Sequence, residues 1–180
     1  HHAKYRFGFT GTLDGTQTHK WVLEGLFGPS YKVTKTDELM KQGHLAQLDI
    51  QCIVLKHPSQ KFETYNDEIE YLISHKQRNT FLKNLALDLK GNTLLLYSRV
   101  EAHGQVLYDL INTNKHDDRK VFFVHGGVDA EQREIVREIT ENEKNSIIVA
   151  SYGTFSTGIN IRNLHNVIFA SPSKSRVRNL

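Results

Sequence analysis

From Thr93 to Ala170, short apolar runs alternate with stretches whose apolar residues recur at helical spacing. Thr93–Tyr97, Val121–Val124, Ser146–Ser151 and Asn166–Ala170 read as strands. Their interiors are near-continuous Leu, Val, Ile and Phe, the pattern of strands covered on both faces. Between them lie Ala102, Val106, Leu107, Leu110 and Ile111 on one predicted helix, and Ile135, Val136 and Ile139 on the next. Such alternation admits few folds. It predicts an α/β domain with a mostly parallel sheet, helices on both faces and right-handed crossovers. No internal repeat or low-complexity segment interrupts it.

Upstream the texture is less regular. Tyr5–Thr10 reads as a strand, followed by a turn from Gly11 to Gly15. A helix is expected over Lys20–Phe27, ended by Gly28-Pro29, and a brief strand over Tyr31–Val33. Thr34 with Asp37 resembles a capping box for a helix to Gln42, closed by Gly43. Leu48–Leu55 reads as a new strand, Tyr65–Ser74 as a helix, and Phe81, Leu82, Leu85, Ala86 and Leu89 as one face of another, ended by Gly91-Asn92. The expected domain boundary lies at residues 43–47, giving residues 3–46 and 47–180. His1 and His2 read as a tag remnant.

The 180 residues suffice for one domain plus part of another. The net charge of +3 permits nucleic-acid contact without demanding it, although Ser171 to Leu180 holds Lys174, Arg176 and Arg178 and no acid. Cys52 alone supports neither a disulfide framework nor a zinc site, and it is expected to be a small buried hydrophobe. No metal site is expected. No apolar run is long enough to span a membrane and no signal peptide is evident, so an intracellular setting is expected.

Parallel sheets bind ligands beyond the carboxyl ends of their strands. Ser98-Arg99, His125-Gly126-Gly127 and the Ser/Thr/Gly-rich loop from Ser151 to Asn160 are all expected there. Backbone N–H groups and hydroxyls in such loops can reach a phosphate. Each has a bland alternative: Gly126-Gly127 as a turn, Arg99 as a solvated charge, Ser156 and Thr157 as local caps. Their joint placement favours function. Thr10-Gly11-Thr12-Leu13-Asp14-Gly15-Thr16 is not a Walker loop, because the Gly spacing is wrong and no Lys-Ser/Thr follows. Asp129 with Gln132 forms a plausible capping box. The acid-rich helix from Asp129 to Glu143, interleaved with Arg133, Arg137 and Lys144, reads as a solvated, ion-paired face.

The order F-G-F-T-G-T, L-L-L-Y-S-R, V-H-G-G followed by Arg133, and I-I-V-A-S-Y-G-T-F-S-T-G-I-N resembles superfamily 2 helicases, in particular the UvsW-type phage recombination and fork-remodelling DNA helicases. Asn163-Leu164-His165 belongs to the same likeness, which covers nearly all of the chain. It implies a RecA-like, P-loop-NTPase-type fold, preceded by the tail of another RecA-like domain. It implies ATP and Mg²⁺ for the whole helicase, none held tightly by this chain alone, and DNA and the first RecA-like domain as partners. Thr10, Gly11 and Thr12 then correspond to the coupling motif of that first domain. Ser98, Arg99, His125, Gly126, Ser151 and Thr157 fall to DNA contact, and Gly158 and Asn160 to the nucleotide. Asn160 stands where the family more often carries Asp. It can hydrogen-bond a ribose but brings no charge.

The P-loop lysine, the Asp-Glu motif and the arginine-finger motif have no counterpart here, so the chain alone is expected not to hydrolyse ATP. Two rivals remain. A non-catalytic nucleic-acid-binding RecA-like module predicts DNA contact without ATP dependence. An unrelated doubly wound nucleotide-dependent transferase predicts small-ligand binding and no DNA affinity.

Overall fold

The computed structural model describes residues 3–10, 16–116, 118–127, 129–155 and 161–172, apart from the side chains of residues 130, 132, 133 and 155. The expectations placed on Gly11, Thr12, Thr157, Gly158, Asn160, Lys174, Arg176, Arg178 and the side chains of Gln132 and Arg133 lie outside these. The chain divides into two compact units, His1–Leu55 and Lys56–Leu180.

The first unit holds two helices, α1 (Gln17–Phe27) and α2 (Thr36–Lys41). Gly28 follows α1, and Gly43 donates to the Met40 carbonyl at the end of α2. Three expected strands are not formed: Tyr5–Thr10, Tyr31–Val33 and Leu48–Leu55 are extended or irregular and mostly exposed. Their Val, Ile, Phe and Tyr content matches a strand, but a strand also needs a neighbouring strand to pair with, and no such pairing is formed by them among the described residues. Cys52 is consequently exposed, not buried. Lys35, not Thr34, occupies the N-cap of α2 without a side-chain bond, and Thr34 Oγ1 reaches the Lys35 carbonyl and the Glu38 carboxylate, each at 3.5 Å.

The second unit is the α/β domain. Helices α3 (Tyr65–Ser74) and α4 (Lys76–Asp88) lead into strand β1 (Thr93–Tyr97). Thr64 opens α3 with a reciprocal capping box to Asp67. A π-helical turn, Val100–Gln105, then passes into α5 (Val106–Asn114). There follow β2 (Val121–Val124), α6 (Ala130–Asn142), β3 (Ile147–Ser151), the single turn α7 (Tyr152–Phe155) and β4 (Asn166–Phe169). The four strands are all parallel, in the order β2-β3-β1-β4.

Alternate strand residues feed two cores. Leu95, Tyr97, Ile147, Val149 and Ile168 pack with Leu82 and Ala86 of α4 and Leu107 and Ile111 of α5. Leu94, Leu96, Val124, Ile148 and Ala150 pack on the other face, where Val136 of α6, Ile161 and Leu164 join them. Both faces of the sheet are thus covered, as its near-continuous apolar strands require. Two helix readings shift. The buried line in the β1–β2 crossover is His103, Leu107 and Ile111, while Ala102 and Val106 are exposed. Ile135 is exposed as well, and Val136 and Ile139 are half-buried. Asp129 stands at the N-cap of α6 but makes no side-chain cap bond.

Candidate nucleic-acid interface at the carboxyl edge

Parallel strands share one carboxyl edge, and register decides what meets there. Tyr97 pairs with Ser151, and Val124 with Ala150. Ser98-Arg99, His125-Gly126-Gly127 and Ser151 therefore stand together at the strand ends. Ser98, Gly126 and Gly127 are exposed, and Arg99 and His125 half-buried. Arg99 is ion-paired to Glu70 of α3 at 3.1 Å. The Gly127 N–H donates to His125 Nδ1 at 3.1 Å, which shapes the turn after β2. His125 also packs on Phe123, ring centroids 5.2 Å apart.

Ser151 differs from the other residues of this edge. It is buried, and its Oγ lies 2.7 Å from Thr154 Oγ1. The segment after it is not all loop, because Tyr152–Phe155 forms a helical turn. Tyr152 is buried in the second core, and its hydroxyl donates to the Ser171 carbonyl at 2.7 Å. Burial holds that phenol up at about 12, partly offset by the nearby Arg78 guanidinium. Thr10 is exposed and belongs to the first unit.

Beneath this edge lies a cluster that the sequence reading did not single out. Asn79, His103 and Ser171 are all buried. His103 Nε2 lies 3.2 Å from Asn79 Oδ1, and His103 Nδ1 lies 2.9 Å from Ser171 Oγ. The Ser98 N–H donates to Ser171 Oγ at 3.1 Å. Arg78 donates to the Ala170 carbonyl at 2.5 Å, while its Nη1 is buried without a partner. Burial and then Arg78 lower His103 to about 4, so the ring is neutral at pH 7. One signal was available: stepping back by fours from Ile111 and Leu107 lands on His103, so a histidine sits in the helix's apolar line.

Asn163-Leu164-His165 does not lie at this edge. Asn163 Nδ2 donates to the Glu141 and Glu143 carbonyls at 3.1 and 2.7 Å, and the Asn92 N–H donates to His165 Nδ1 at 3.2 Å. These residues close the amino edge, where they hold the loop into β4 against the ends of α4 and α6. The acid-rich face of α6 is ion-paired as expected, with Arg137 between Glu134 and Glu141 at 2.5 and 2.7 Å.

Residues 62–180 match the family model of the helicase conserved C-terminal domain. The chain belongs to that family. It is 37% identical, over 96% of its own length, to the ATP-dependent DNA helicase UvsW of Enterobacteria phage T4, and it spans 35% of that protein. The crystal structure of T4 UvsW superposes with a TM-score of 0.56 at 39% identity, covering 66% of this chain and 24% of the other. The parallel sheet with covered faces is accordingly the RecA-like fold of this helicase domain.

The sequence contains no G-x-x-x-x-G-K-[ST] loop, and no three His, Cys, Asp or Glu side chains converge among the described residues. No helix among them is long and apolar enough to cross a membrane.

Proposed function

We propose that residues 47–180 act as the second RecA-like half of an ATP-dependent DNA helicase and grip the nucleic-acid backbone. Residues 3–46 then belong to the tail of a preceding RecA-like domain, with Thr10, Gly11 and Thr12 as its coupling motif. The observation that carries this reading is the meeting of Ser98, Arg99, His125, Gly126 and Ser151 at one carboxyl edge, in a chain of the helicase C-terminal family.

The chemistry of that edge suits phosphate. It offers an arginine, an imidazole, hydroxyls and turn N–H groups, all able to donate to phosphate oxygens. None of these reads base identity by itself, so the grip is directed to the backbone. By the family resemblance, DNA contact also falls to Thr157, and the nucleotide to Gly158 and Asn160. ATP, with Mg²⁺, supplies phosphoryl-transfer chemistry in the whole helicase. This chain contributes the strand grip whose affinity changes when two domains close and reopen. The setting is intracellular, where the DNA is.

The test is DNA-stimulated ATP hydrolysis by the full-length gene product, with Ser151→Ala and Asn160→Ala beside it. Stimulated turnover that is lost or uncoupled from DNA in the variants supports the helicase reading. A folded protein that binds DNA but shows no turnover supports the non-catalytic module instead.

A further inference from the structure

The geometry points to a one-directional hydrogen-bond wire, from the Ser98 N–H through Ser171, His103 and Asn79 to the Ile73 carbonyl, that positions the Ser98-Arg99 turn for a nucleic-acid phosphate. The inference rests on the reading of that turn as a DNA contact.

Both ends of the wire fix its direction. Asn79 Nδ2 donates to the Ile73 carbonyl at 2.7 Å, which turns Asn79 Oδ1 toward His103. An amide oxygen only accepts, so His103 Nε2, 3.2 Å away, carries the proton. In the neutral ring Nδ1 is then a lone pair, and it accepts the Ser171 hydroxyl proton across 2.9 Å. Ser171 Oγ in turn accepts the Ser98 N–H at 3.1 Å. A backbone N–H can only donate and a backbone carbonyl can only accept, so the chain runs one way without a conflicting proton. The depressed basicity of His103 keeps the ring neutral and this polarity intact.

Four further bonds gather the edge around Ser171. Its carbonyl accepts the Tyr152 hydroxyl, and the Ala170 carbonyl before it accepts Arg78. The Arg99 carbonyl accepts the N–H groups of His103 and Gly104 at 3.3 and 2.9 Å. Arg99 is thus held at its own carbonyl and at the N–H of the preceding residue, while its side chain stays on the surface. The turns after β1, β3 and β4 all meet at Ser171. The π-helical turn lets His103 reach inward while its N–H still bonds back to Arg99. Such turns recur at functional sites.

Asn79, His103 and Ser171 touch no ligand in this arrangement and are positioning residues. The test uses the 180-residue chain and a fluorescent oligothymidylate, with affinity measured against salt for the wild type, Ser171→Ala, Ser171→Thr and Arg99→Ala. Arg99→Ala removes a phosphate contact, so its log–log salt slope becomes shallower by about 0.7. Ser171→Ala removes no contact. It is expected to weaken binding about three- to tenfold at unchanged slope, with faster hydrogen exchange at the Ser98 amide, and Ser171→Thr restores both. The ring-nitrogen shifts of His103 in the wild type should report the neutral Nε2–H form.

A folded Ser171→Ala that binds like the wild type, beside a weakened Arg99→Ala, overturns the wire. A proton on Nδ1 overturns it too, and needs no variant. Absence of salt-dependent binding by the wild type removes the DNA reading and the proposal with it.

Discussion

The two edges of the sheet are held by buried polar residues in different ways. At the amino edge Asn92, fully buried, sits at the centre. Its amide nitrogen faces the carbonyls of Thr140, Glu143 and Asn163 at 2.8 to 2.9 Å, and its oxygen accepts from the N–H and hydroxyl of Ser146. All of this capacity is spent inside, joining the start of β1 to the end of α6 and the loops into β3 and β4. At the carboxyl edge the Ser171 cluster is also buried, yet it ends on the N–H of a surface turn carrying Ser98 and Arg99. One arrangement closes the fold, and the other holds exposed donors at fixed positions. A buried polar network can therefore serve stability alone or presentation as well, depending on whether its last member reaches the surface.

The comparison can be broken from either side. The largest effect is expected from Asn92→Asp. It keeps the shape but turns carboxylate oxygens toward three carbonyls, so urea unfolding should show a loss of about 3 kcal/mol or more. The folded fraction should bind DNA normally. An equal drop in DNA affinity would show that the amino edge also presents the site.

The carboxyl edge should be sensitive to acid. The folded protein holds His103 at about 4, below its ordinary 6.5, so the unfolded chain binds the proton first. Its stabilising contribution is fully present above about pH 6.5 and is lost as pH falls toward 4, on the order of 3 kcal/mol. The unfolding free energy measured between pH 7 and 4.5 should fall less steeply in His103→Gln. An identical slope would mean that His103 is not the group excluding the proton.

Gly104→Ala comes next. A Cβ there would stand 2.3 Å from the Tyr97 ring, which is itself fully buried and stacked on Phe123. The expected cost is about 1–3 kcal/mol by thermal or urea unfolding, since the ring must shift. A neutral result would place slack under the π-helical turn. The smallest effect is expected from Glu70→Gln. The ion pair to Arg99 is exposed, so stability should stay within about 0.5 kcal/mol of wild type. Freed from its carboxylate, Arg99 should bind oligothymidylate about two- to threefold more tightly at low salt. Weaker binding would mean that Glu70 orients Arg99 instead of competing for it.

Much of the second unit is legible in the sequence. Leu94–Leu96 and Ile147–Ala150 cannot be covered on one face only, and the helical spacing of Leu82, Leu85 and Ala86 marks what covers them. The rule for parallel strands then places Ser98, His125 and Ser151 on a common edge. The last five residues of the motif that carries the family likeness, 156–160, lie outside the described set. Leu48–Leu55 misled for a physical reason: β-propensity describes a fit to a neighbouring strand, and no neighbour is present among the described residues. The roles of Asn92 and His103 are not legible in this way, because an asparagine after a glycine reads as a turn, and a histidine among apolar residues breaks the apolar pattern.

What the sequence determined is local and periodic: which segments are strands or helices in the second unit, which end of each strand carries donors, and the family to which the chain belongs. Only the tertiary structure decided the strand order β2-β3-β1-β4 and the partners it creates. Ser98 meets Ser171 across 73 positions, and His103 meets Asn79 across 24. No propensity or spacing encodes such pairs. They exist because hydrophobic burial on both faces of the sheet fixes where each strand end stops, and the buried polar groups left there must find one another or remain unpaired.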